Sequence, residues 1–271
     1  MADTGGASGR AGLEDTAGAD PVLLTIRDVS RSFGGVLAVN RASAGFAKGQ
    51  ITGIIGPNGA GKSTLLNIVT GSLRADSGQI LFDGQSIERW PTYRRARLGI
   101  GRTFQLSSEF KRLTLVENLL CGVRLTRGET LRGAVLGPRW WGKVQEGALS
   151  RAAEILARFA LEEKGNELAG SLSGGERRLV EIGRALMSEP RLLLLDEPLA
   201  GVHPRNVGRI IEALRSLRDE GVTLVTCLHE PDAVERACDS VAVMAQGSVI
   251  AVGSFDEVRA NSSVLGAYLG S

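Results

Sequence analysis

The sequence of 271 residues lacks several features that mark whole classes of protein. No apolar run approaches the roughly 18 residues needed to cross a bilayer, so any membrane role has to come through partner chains. Cysteine occurs three times and without CxxC spacing, which argues against a disulfide framework or a zinc site and is typical of a reduced, cytosolic chain. The net charge is only +2, which gives no indication of attraction to nucleic acid.

The beginning of the chain also lacks a secretory signal. Residues 1–20 have neither a basic start nor an apolar stretch, and their small, polar and acidic side chains cannot form a core. We therefore expect a disordered tail over 1–20. After it, strand-like segments alternate with helical ones, which predicts an α/β fold with a mostly parallel sheet.

The clearest chemical signal is a glycine-rich segment between a predicted strand and a predicted helix. It fits G-x-x-x-x-G-K-[ST], in which glycines let the backbone wrap a phosphate and the helix presents its free N–H groups. We expect Lys62 to reach the β and γ phosphates and Ser63 to offer its hydroxyl to Mg²⁺. The predicted nucleotide-binding residues are Gly56, Pro57, Asn58, Gly59, Ala60, Gly61, Lys62, Ser63 and Thr64.

Two acids follow a second apolar strand. Asp196 and Glu197 come directly after four leucines, at the carboxyl end of what should be a core strand. An acid at that edge, next to a phosphate loop, is placed to orient Mg²⁺-bound water, which is the Walker B role. Glu197 points differently and could accept a proton from the attacking water.

A third segment distinguishes this chain from other phosphate-binding proteins. A hydroxyl, two glycines and a helix start form a second anion cradle shortly before the acidic strand, and a simple helix cap would not require two glycines. The segment resembles the signature motif of ATP-binding cassette (ABC) proteins, and the resemblance covers nearly the whole chain after residue 21. Its residues are Leu172, Ser173, Gly174, Gly175 and Glu176.

The resemblance implies a fold and a reaction. The fold is a P-loop NTPase (RecA-like) parallel sheet with an antiparallel β subdomain and an inserted α-helical subdomain. A single domain would span 21–271, with its core over about 21–92 and 172–255, the helical subdomain over about 93–171 and a C-terminal tail over about 256–271. The reaction is ATP hydrolysis, with ATP and Mg²⁺ as cofactors, between two subunits that each lend the signature cradle to the other's nucleotide.

Further positions match the family's motifs. Gln105 would join Ser63 and Asp196 at the metal, His229 would act in catalysis by sensing the γ-phosphate, and Phe33 would stack on adenine. Ordinary core packing is the other interpretation of Phe33. Two departures from the family pattern stand out. Glu230 follows the histidine at a position where aspartate is frequent. Leu-Ala-Gly-Val-His-Pro at 199–204 replaces the commoner D-loop, so the motifs support ATP hydrolysis more strongly than they support crosstalk between two ATP sites.

Other segments look most like the longer ATP-binding subunit of branched-chain amino acid importers. These are GGVLAVN, IGRTFQ, VENLLCG, LAGVHP and AYLG, together with the extended 124–146 region. The resemblance implies a second ATP-binding subunit (the same chain or a different one), two transmembrane permease subunits and an external solute-binding protein. It places the chain peripherally on the cytoplasmic face of the plasma membrane. Close relatives also import urea or amides, so the sequence of this chain does not identify the transported solute.

Three other functions compete with this interpretation. An ATPase for lipopolysaccharide-type export shares the phosphate and signature motifs but fits the GRTFQ block less well. Non-transport ABC proteins carry two cassettes or long coiled coils, and neither occurs here. A regulatory GTPase should carry an NKxD-like motif, which is absent.

One stretch of the chain is unusually basic. It predicts either a solvated face or a surface for anionic lipid headgroups or permease helices. Its residues are Arg89, Arg94, Arg95, Arg97, Arg102, Lys111 and Arg112.

Overall fold

The computed structural model describes residues 21–103, 110–123 and 138–269. Three expected features lie outside the described residues: the tail over 1–20, the metal-site candidate Gln105, and residues 124–137 of the extended region. In the described part of the chain, no helix has the length and apolar character needed to span a membrane.

A four-stranded antiparallel sheet forms one layer. Its order is β2-β1-β4-β5, and its strands are β1 (Val22–Phe33), β2 (Val36–Ala47), β4 (Ser77–Phe82) and β5 (Gln85–Ser86). Gly34 and Gly35 join β1 to β2 with φ values of 50° and 91°, which a two-residue hairpin turn of this kind requires. Asp83 and Gly84 join β4 to β5 in a second hairpin.

A six-stranded sheet forms the second layer, in the order β10-β9-β3-β8-β7-β6. The five strands from β9 to β6 in this order are parallel, and β10 pairs antiparallel with β9. Every residue of β7 and β8 is buried, as expected for strands covered on both faces. The strands are β3 (Ile51–Ile55), β6 (Ile100–Arg102), β7 (Leu192–Asp196), β8 (Thr223–Cys227), β9 (Ser240–Ala245) and β10 (Ser248–Gly253).

Nine α-helices occur in the described residues, together with 3₁₀ turns at Glu162–Lys164 and Ala169–Ser171. Helix α1 and the antiparallel sheet share one apolar core with one face of the parallel sheet, and most of the other helices share a second core with its opposite face. The helices are α1 (Lys62–Thr70), α2 (Thr92–Leu98), α3 (Leu115–Leu120), α4 (Pro138–Arg158), α5 (Gly174–Leu186), α6 (Pro204–Asp219), α7 (Pro231–Ala237), α8 (Phe255–Ala260) and α9 (Ser262–Leu269).

The predicted α/β architecture of a parallel core, an antiparallel layer and a helical middle is confirmed. One local expectation differs from the structure. Strand β6 lies inside the 93–171 stretch expected to be helical, yet it pairs with β7 and belongs to the core sheet. Helix α4 begins at Pro138, within the extended 124–146 region; proline suits a first helical turn, and the helix continues through two glycines.

Candidate functional site at the carboxyl edge of the parallel sheet

Three neighbouring parallel strands bring the predicted motifs together. Asp196 on β7 is in register with Cys227 on β8, and Cys227 is in register with Ile54 on β3. The carboxyl ends of parallel strands meet at one sheet edge, so the segments that follow β3, β7 and β8 must converge there. These segments are the glycine-rich loop, the two acids and His229.

The glycine-rich loop is shaped by two close backbone approaches. A Cβ atom on Gly56 would overlap the carbonyl oxygen of Met244, and one on Gly61 would overlap that of Ala38. Both glycines also have positive φ, at 150° and 95°, which other residues adopt only with strain. Gly61 caps α1 without a side-chain hydrogen bond, so the first N–H groups of this helix keep their capacity to bind an anion.

Lys62 lies folded against this loop. Its Nζ donates to the carbonyl oxygens of Gly56 at 2.7 Å and of Pro57 at 2.9 Å, and the residue is only 6% exposed. Burial lowers the pKa of Lys62 below its ordinary value, although the nearby charges of Glu197 and Asp196 oppose this shift. The ammonium group therefore lies where a phosphate would meet the loop, held by acceptors that a phosphate could replace.

Asp196 is held by two donors on different oxygens. Ser63 Oγ donates to Oδ1 at 3.1 Å, and the Arg102 guanidinium donates to Oδ2 at 3.1 Å. The Asp196 side chain is 7% exposed and that of Arg102 is 15% exposed, so this ion pair is largely buried. The hydroxyl and carboxylate predicted to share a metal thus lie side by side, but Gln105, the third candidate, lies outside the described residues.

Glu197 and His229 are 32 positions apart in sequence and meet in space. His229 Nε2 lies 2.8 Å from Glu197 Oε1, and both side chains remain partly exposed. Glu197 has a φ of 50°, which is uncommon for a residue other than glycine. Its carbonyl oxygen accepts a hydrogen bond from Arg178 at 3.0 Å, and Arg178 also pairs with the buried Glu181.

The signature segment lies at the start of α5 and forms a complete capping box. Ser173 Oγ accepts from the Glu176 N–H at 3.3 Å, and the Glu176 carboxylate accepts from the Ser173 N–H at 2.9 Å. Lys164 donates to the other Glu176 oxygen at 2.7 Å. Burial opposes ionisation of Glu176, but the hydrogen bonds from Lys164 and Ser173 outweigh it and lower its pKa to about 2. Leu172 is buried beneath this turn.

The remaining candidates take different positions. Phe33 is 46% exposed at the end of β1, with the Arg31 guanidinium 5.0 Å from the ring centroid. Core packing, the other interpretation of Phe33, is therefore wrong. The unusual segment at 199–204 contains His203, whose Nδ1 accepts from the Arg205 N–H and caps α6.

Sequence reasoning missed the arginines that support the acids. Arg102 was placed in the basic run, and both interpretations of that run put its members on the surface. They are wrong for Arg102 and for Arg95, which is 1% exposed and donates to four backbone carbonyls, those of Trp90, Ile68, Val69 and Glu88. Burial lowers the pKa of Arg95 to about 10. The sequence signal that could have distinguished Arg95 and Arg102 from the exposed arginines of the run is their alternation with apolar residues near a core strand.

Cys227 is a further residue at this edge that the sequence did not single out. It is fully buried at the end of β8. Burial, reinforced by the Asp196 charge, raises the pKa of its thiol well above the usual range, so the group stays neutral and acts as packing.

Comparison with known proteins agrees with this geometry. The sequence model of the ABC transporter family matches residues 39–200. The chain is 39% identical over 249 residues to the probable branched-chain amino acid transport ATP-binding protein LivG of Archaeoglobus fulgidus, covering 92% of this chain and 96% of the relative. It is 36% identical over 249 residues to the high-affinity LivG protein of Escherichia coli, covering 92% of this chain and 98% of the relative.

Solved structures lead to the same family. The crystal structure of an ABC transporter's ATP-binding cassette in its ADP conformation superposes with a TM-score of 0.81 at 36% identity, and covers 93% of this chain and 100% of that one. A nucleotide-free ATP-binding cassette from an ABC transporter superposes with a TM-score of 0.81 at 35% identity, over the same shares of the two chains. With its glycine-rich loop, paired acids and signature segment in these positions, the chain belongs to the ABC transporter family.

Proposed function

We propose that this chain is the ATP-binding and ATP-hydrolysing subunit of an importer for branched-chain amino acids. The observation that carries the proposal is the convergence of Lys62, Ser63, Asp196, Glu197 and His229 at one edge of the parallel sheet. Together these groups can bind phosphate, hold Mg²⁺ and activate water for phosphoryl transfer, and the ABC transporter family couples that reaction to transport.

Nucleotide binding begins with Lys62 exchanging partners. Its ammonium leaves the carbonyls of Gly56 and Pro57 and binds the β and γ phosphates, while the loop N–H groups from Gly59 to Thr64 surround them. The positive end of α1 adds to this attraction because no side chain caps its first turn. Phe33, exposed at the end of β1, stacks on the adenine.

Ser63 and Asp196 fit a Mg²⁺ ion. Both offer oxygen atoms, which are the ligands this cation prefers, and they are already close enough to share a hydrogen bond. The described residues contain no cluster of three or more acidic, histidine or cysteine ligands, and Mg²⁺ at a nucleotide needs only one or two carboxylates besides the phosphates. When bound there, Mg²⁺ supplies charge neutralisation for the phosphate oxygens.

Glu197 is the group that activates water. Its carboxylate is partly exposed beyond the end of β7, and His229 holds one of its oxygens, which leaves the other available to accept a proton from water. His229 and Lys62 then stabilise the charge that develops on the γ-phosphate. Arg178 fixes the backbone of Glu197 from the opposite side.

The signature segment supports an assembly with a second ATP-binding subunit. Ser173, Gly174 and Gly175 lie at the start of α5, where they serve the nucleotide held by a second ATP-binding subunit. Two transmembrane permeases and an external solute-binding protein complete the transporter, with this chain on the cytoplasmic face of the membrane. The proposed solute rests on the relatives from Archaeoglobus fulgidus and Escherichia coli, whose names specify branched-chain amino acid transport.

Replacing Glu197 by glutamine tests the chemistry. The amide cannot accept the proton, so we expect the hydrolysis rate to fall about 10²- to 10⁴-fold while the dissociation constant for ATP stays unchanged. A long-lived ATP-bound dimer should accumulate in gel filtration. The matched control is Glu235→Gln, an exposed acid on α7. Near-normal turnover in Glu197→Gln would overturn the general-base assignment.

The solute is tested with the chain purified together with its permeases and binding protein. We expect leucine, isoleucine or valine to stimulate ATP hydrolysis, and the Glu197→Gln complex to show no such stimulation. Stimulation by urea or an amide alone would reassign the solute and leave the ATPase assignment intact. ATP hydrolysis without response to any solute would argue against an importer.

A further inference from the structure

Arg102 connects three elements that meet at the nucleotide site. It is the last residue of β6, the edge strand of the parallel sheet. One terminal nitrogen of its guanidinium donates to Asp196 Oδ2 at 3.1 Å, and the other donates to the side-chain oxygen of Asn67 on α1. The acid after β7 and the helix after the phosphate loop are therefore tied to one side chain.

The contact to Asp196 differs from a surface ion pair. The two side chains are 15% and 7% exposed, so water screens their interaction weakly. Removing one partner of such a pair leaves the other charge buried and unpaired, whereas a surface pair contributes little. The orientation of the Asp196 carboxylate thus depends on Arg102.

Arg102 does not occupy the position of the metal. It binds Oδ2, whereas Ser63, the residue at the phosphate loop, binds Oδ1. A cation can approach Oδ1 from the Ser63 side without displacing the guanidinium. Asn67 holds Arg102 independently of Asp196, so the guanidinium stays in place when the carboxylate exchanges its serine partner for a metal.

Arg102 also borders a cavity of about 420 Å³ near β6 and α5, whose described lining includes Gly101, Phe110, Glu181 and Arg184. Among the described residues, the guanidinium donates hydrogen bonds to Asn67 and Asp196, and these two partners set its orientation. A hydrogen-bonded arginine with two planar donors suits this task better than a lysine.

We propose that Arg102 is a positioning residue that holds the Asp196 carboxylate, through its Oδ2 atom, in the orientation that presents Oδ1 to Mg²⁺. The inference rests on the proposed function, because it assumes the metal site of Ser63 and Asp196. Residues that hydrogen-bond a metal ligand typically change metal affinity or activity 10- to 100-fold when mutated.

The test measures metal affinity apart from turnover. The full chain is titrated with Mg²⁺ in the presence of a fluorescent, non-hydrolysable ATP analogue, and the Mg²⁺ concentration at half-saturation is recorded together with the melting temperature. We expect Arg102→Met to raise this concentration at least tenfold, and nucleotide affinity in EDTA to stay within twofold. Arg102→Lys, which retains the charge but can reach one acceptor, should fall between Arg102→Met and the wild type.

Two further variants keep the result interpretable. Asn67→Ala removes the second anchor and should move the Mg²⁺ requirement in the same direction by a smaller factor. Arg97→Met removes an exposed arginine of the same basic run and should change nothing. If Arg102→Met does not fold, Arg102→Lys and Asn67→Ala provide the same measurement.

The outcomes separate this inference from the function on which it rests. A lower melting temperature with an unchanged Mg²⁺ requirement would make Arg102 purely structural. A lower Mg²⁺ requirement would mean that Arg102 competes with the metal, and both results overturn the proposal. If nucleotide binding by the wild type shows no dependence on Mg²⁺, the proposed metal site itself fails.

Discussion

The helices α1 and α5 both begin at motifs proposed to bind phosphate groups, yet their first turns are built in opposite ways. At α1, the N-cap is Gly61 and no side chain binds the first N–H groups. At α5, Ser173 and Glu176 bind each other's backbone, and Lys164 neutralises the acid. The first N–H groups of α1 have no side-chain acceptor, whereas at α5 the Ser173 and Glu176 N–H groups already have one within the same chain.

The difference fits the proposed roles, in which the α1 site binds nucleotide alone and the α5 site needs a partner subunit. A phosphate at α1 replaces two carbonyl contacts of Lys62 and gains N–H groups without a competing acceptor. A phosphate at α5 meets the ionised Glu176 carboxylate beside the serine hydroxyl, and like charges repel. Binding there has to overcome this repulsion, which a nucleotide already held by a second subunit can do.

The strongest test of the comparison replaces with alanine Lys62, which begins α1, and Lys164, which contacts Glu176 in the first turn of α5. Lys62→Ala should weaken ATP binding to the isolated chain about 10- to 150-fold, since it removes a charged hydrogen bond from a buried site. Lys164→Ala should leave that affinity unchanged, because Lys164 contacts Glu176 and not the phosphate loop. Fluorescent-nucleotide titration measures both. Equal losses would show that α5 contributes to ATP binding within one chain.

The next prediction compares alanine substitutions at Gly61, the N-cap of α1, and at Gly174, the first residue of α5. Gly61→Ala should destabilise the chain by about 1–3 kcal/mol, because its Cβ would overlap the Ala38 carbonyl and the backbone has positive φ. Gly174→Ala has its nearest neighbour at 3.4 Å and should change stability by less than about 1 kcal/mol. Urea unfolding measures both. In the assembled transporter, Gly174→Ala should still reduce hydrolysis.

Equal destabilisation by the two alanines would contradict this account, since it would mean that both glycines are required by the fold. A normal hydrolysis rate for Gly174→Ala in the complete transporter would show that the second cradle tolerates a methyl group near the phosphate.

The smallest effect concerns the charge of Glu176. Its folded pKa of about 2 lies below the usual 4.5, so ionised Glu176 stabilises the fold fully above pH 4.5, and this stabilisation is lost as pH falls towards 2. Glu176→Gln keeps the capping geometry but loses the ion pair with Lys164. We expect a melting temperature about 1–3 °C lower at pH 7. The difference should shrink below pH 4.5, and one independent of pH would exclude the ion pair as its cause.

Much of this site was accessible from sequence because its local signals are strong. The glycine-rich loop, the acids after four leucines and the capping residue Ser173 each have a short-range physical cause that a window of residues reveals. The convergence of His229 with Glu197 could be predicted only through the resemblance to ABC proteins. The register of β7 and β8, which produces that contact, depends on the whole sheet.

The parts that were missed depend on long-range packing. Strand β6 has three residues, one of them a glycine, so it carries no periodic pattern, and only its pairing with β7 makes it a strand. Arg95 and Arg102 look like surface residues in a basic run, because composition does not reveal their buried acceptors. These are backbone carbonyls for Arg95 and the Asp196 carboxylate for Arg102. Charge counted along a sequence therefore overestimates the charge on the surface.

Glu197 illustrates how stability and activity separate in this fold. Its φ of 50° belongs to a region that costs a non-glycine residue about 1–2 kcal/mol, and Arg178 helps to hold it there. Glycine would relieve the strain but has no carboxylate. Selection of variants for thermal tolerance alone would thus favour losing the acid at this position, whereas selection through transport would keep it.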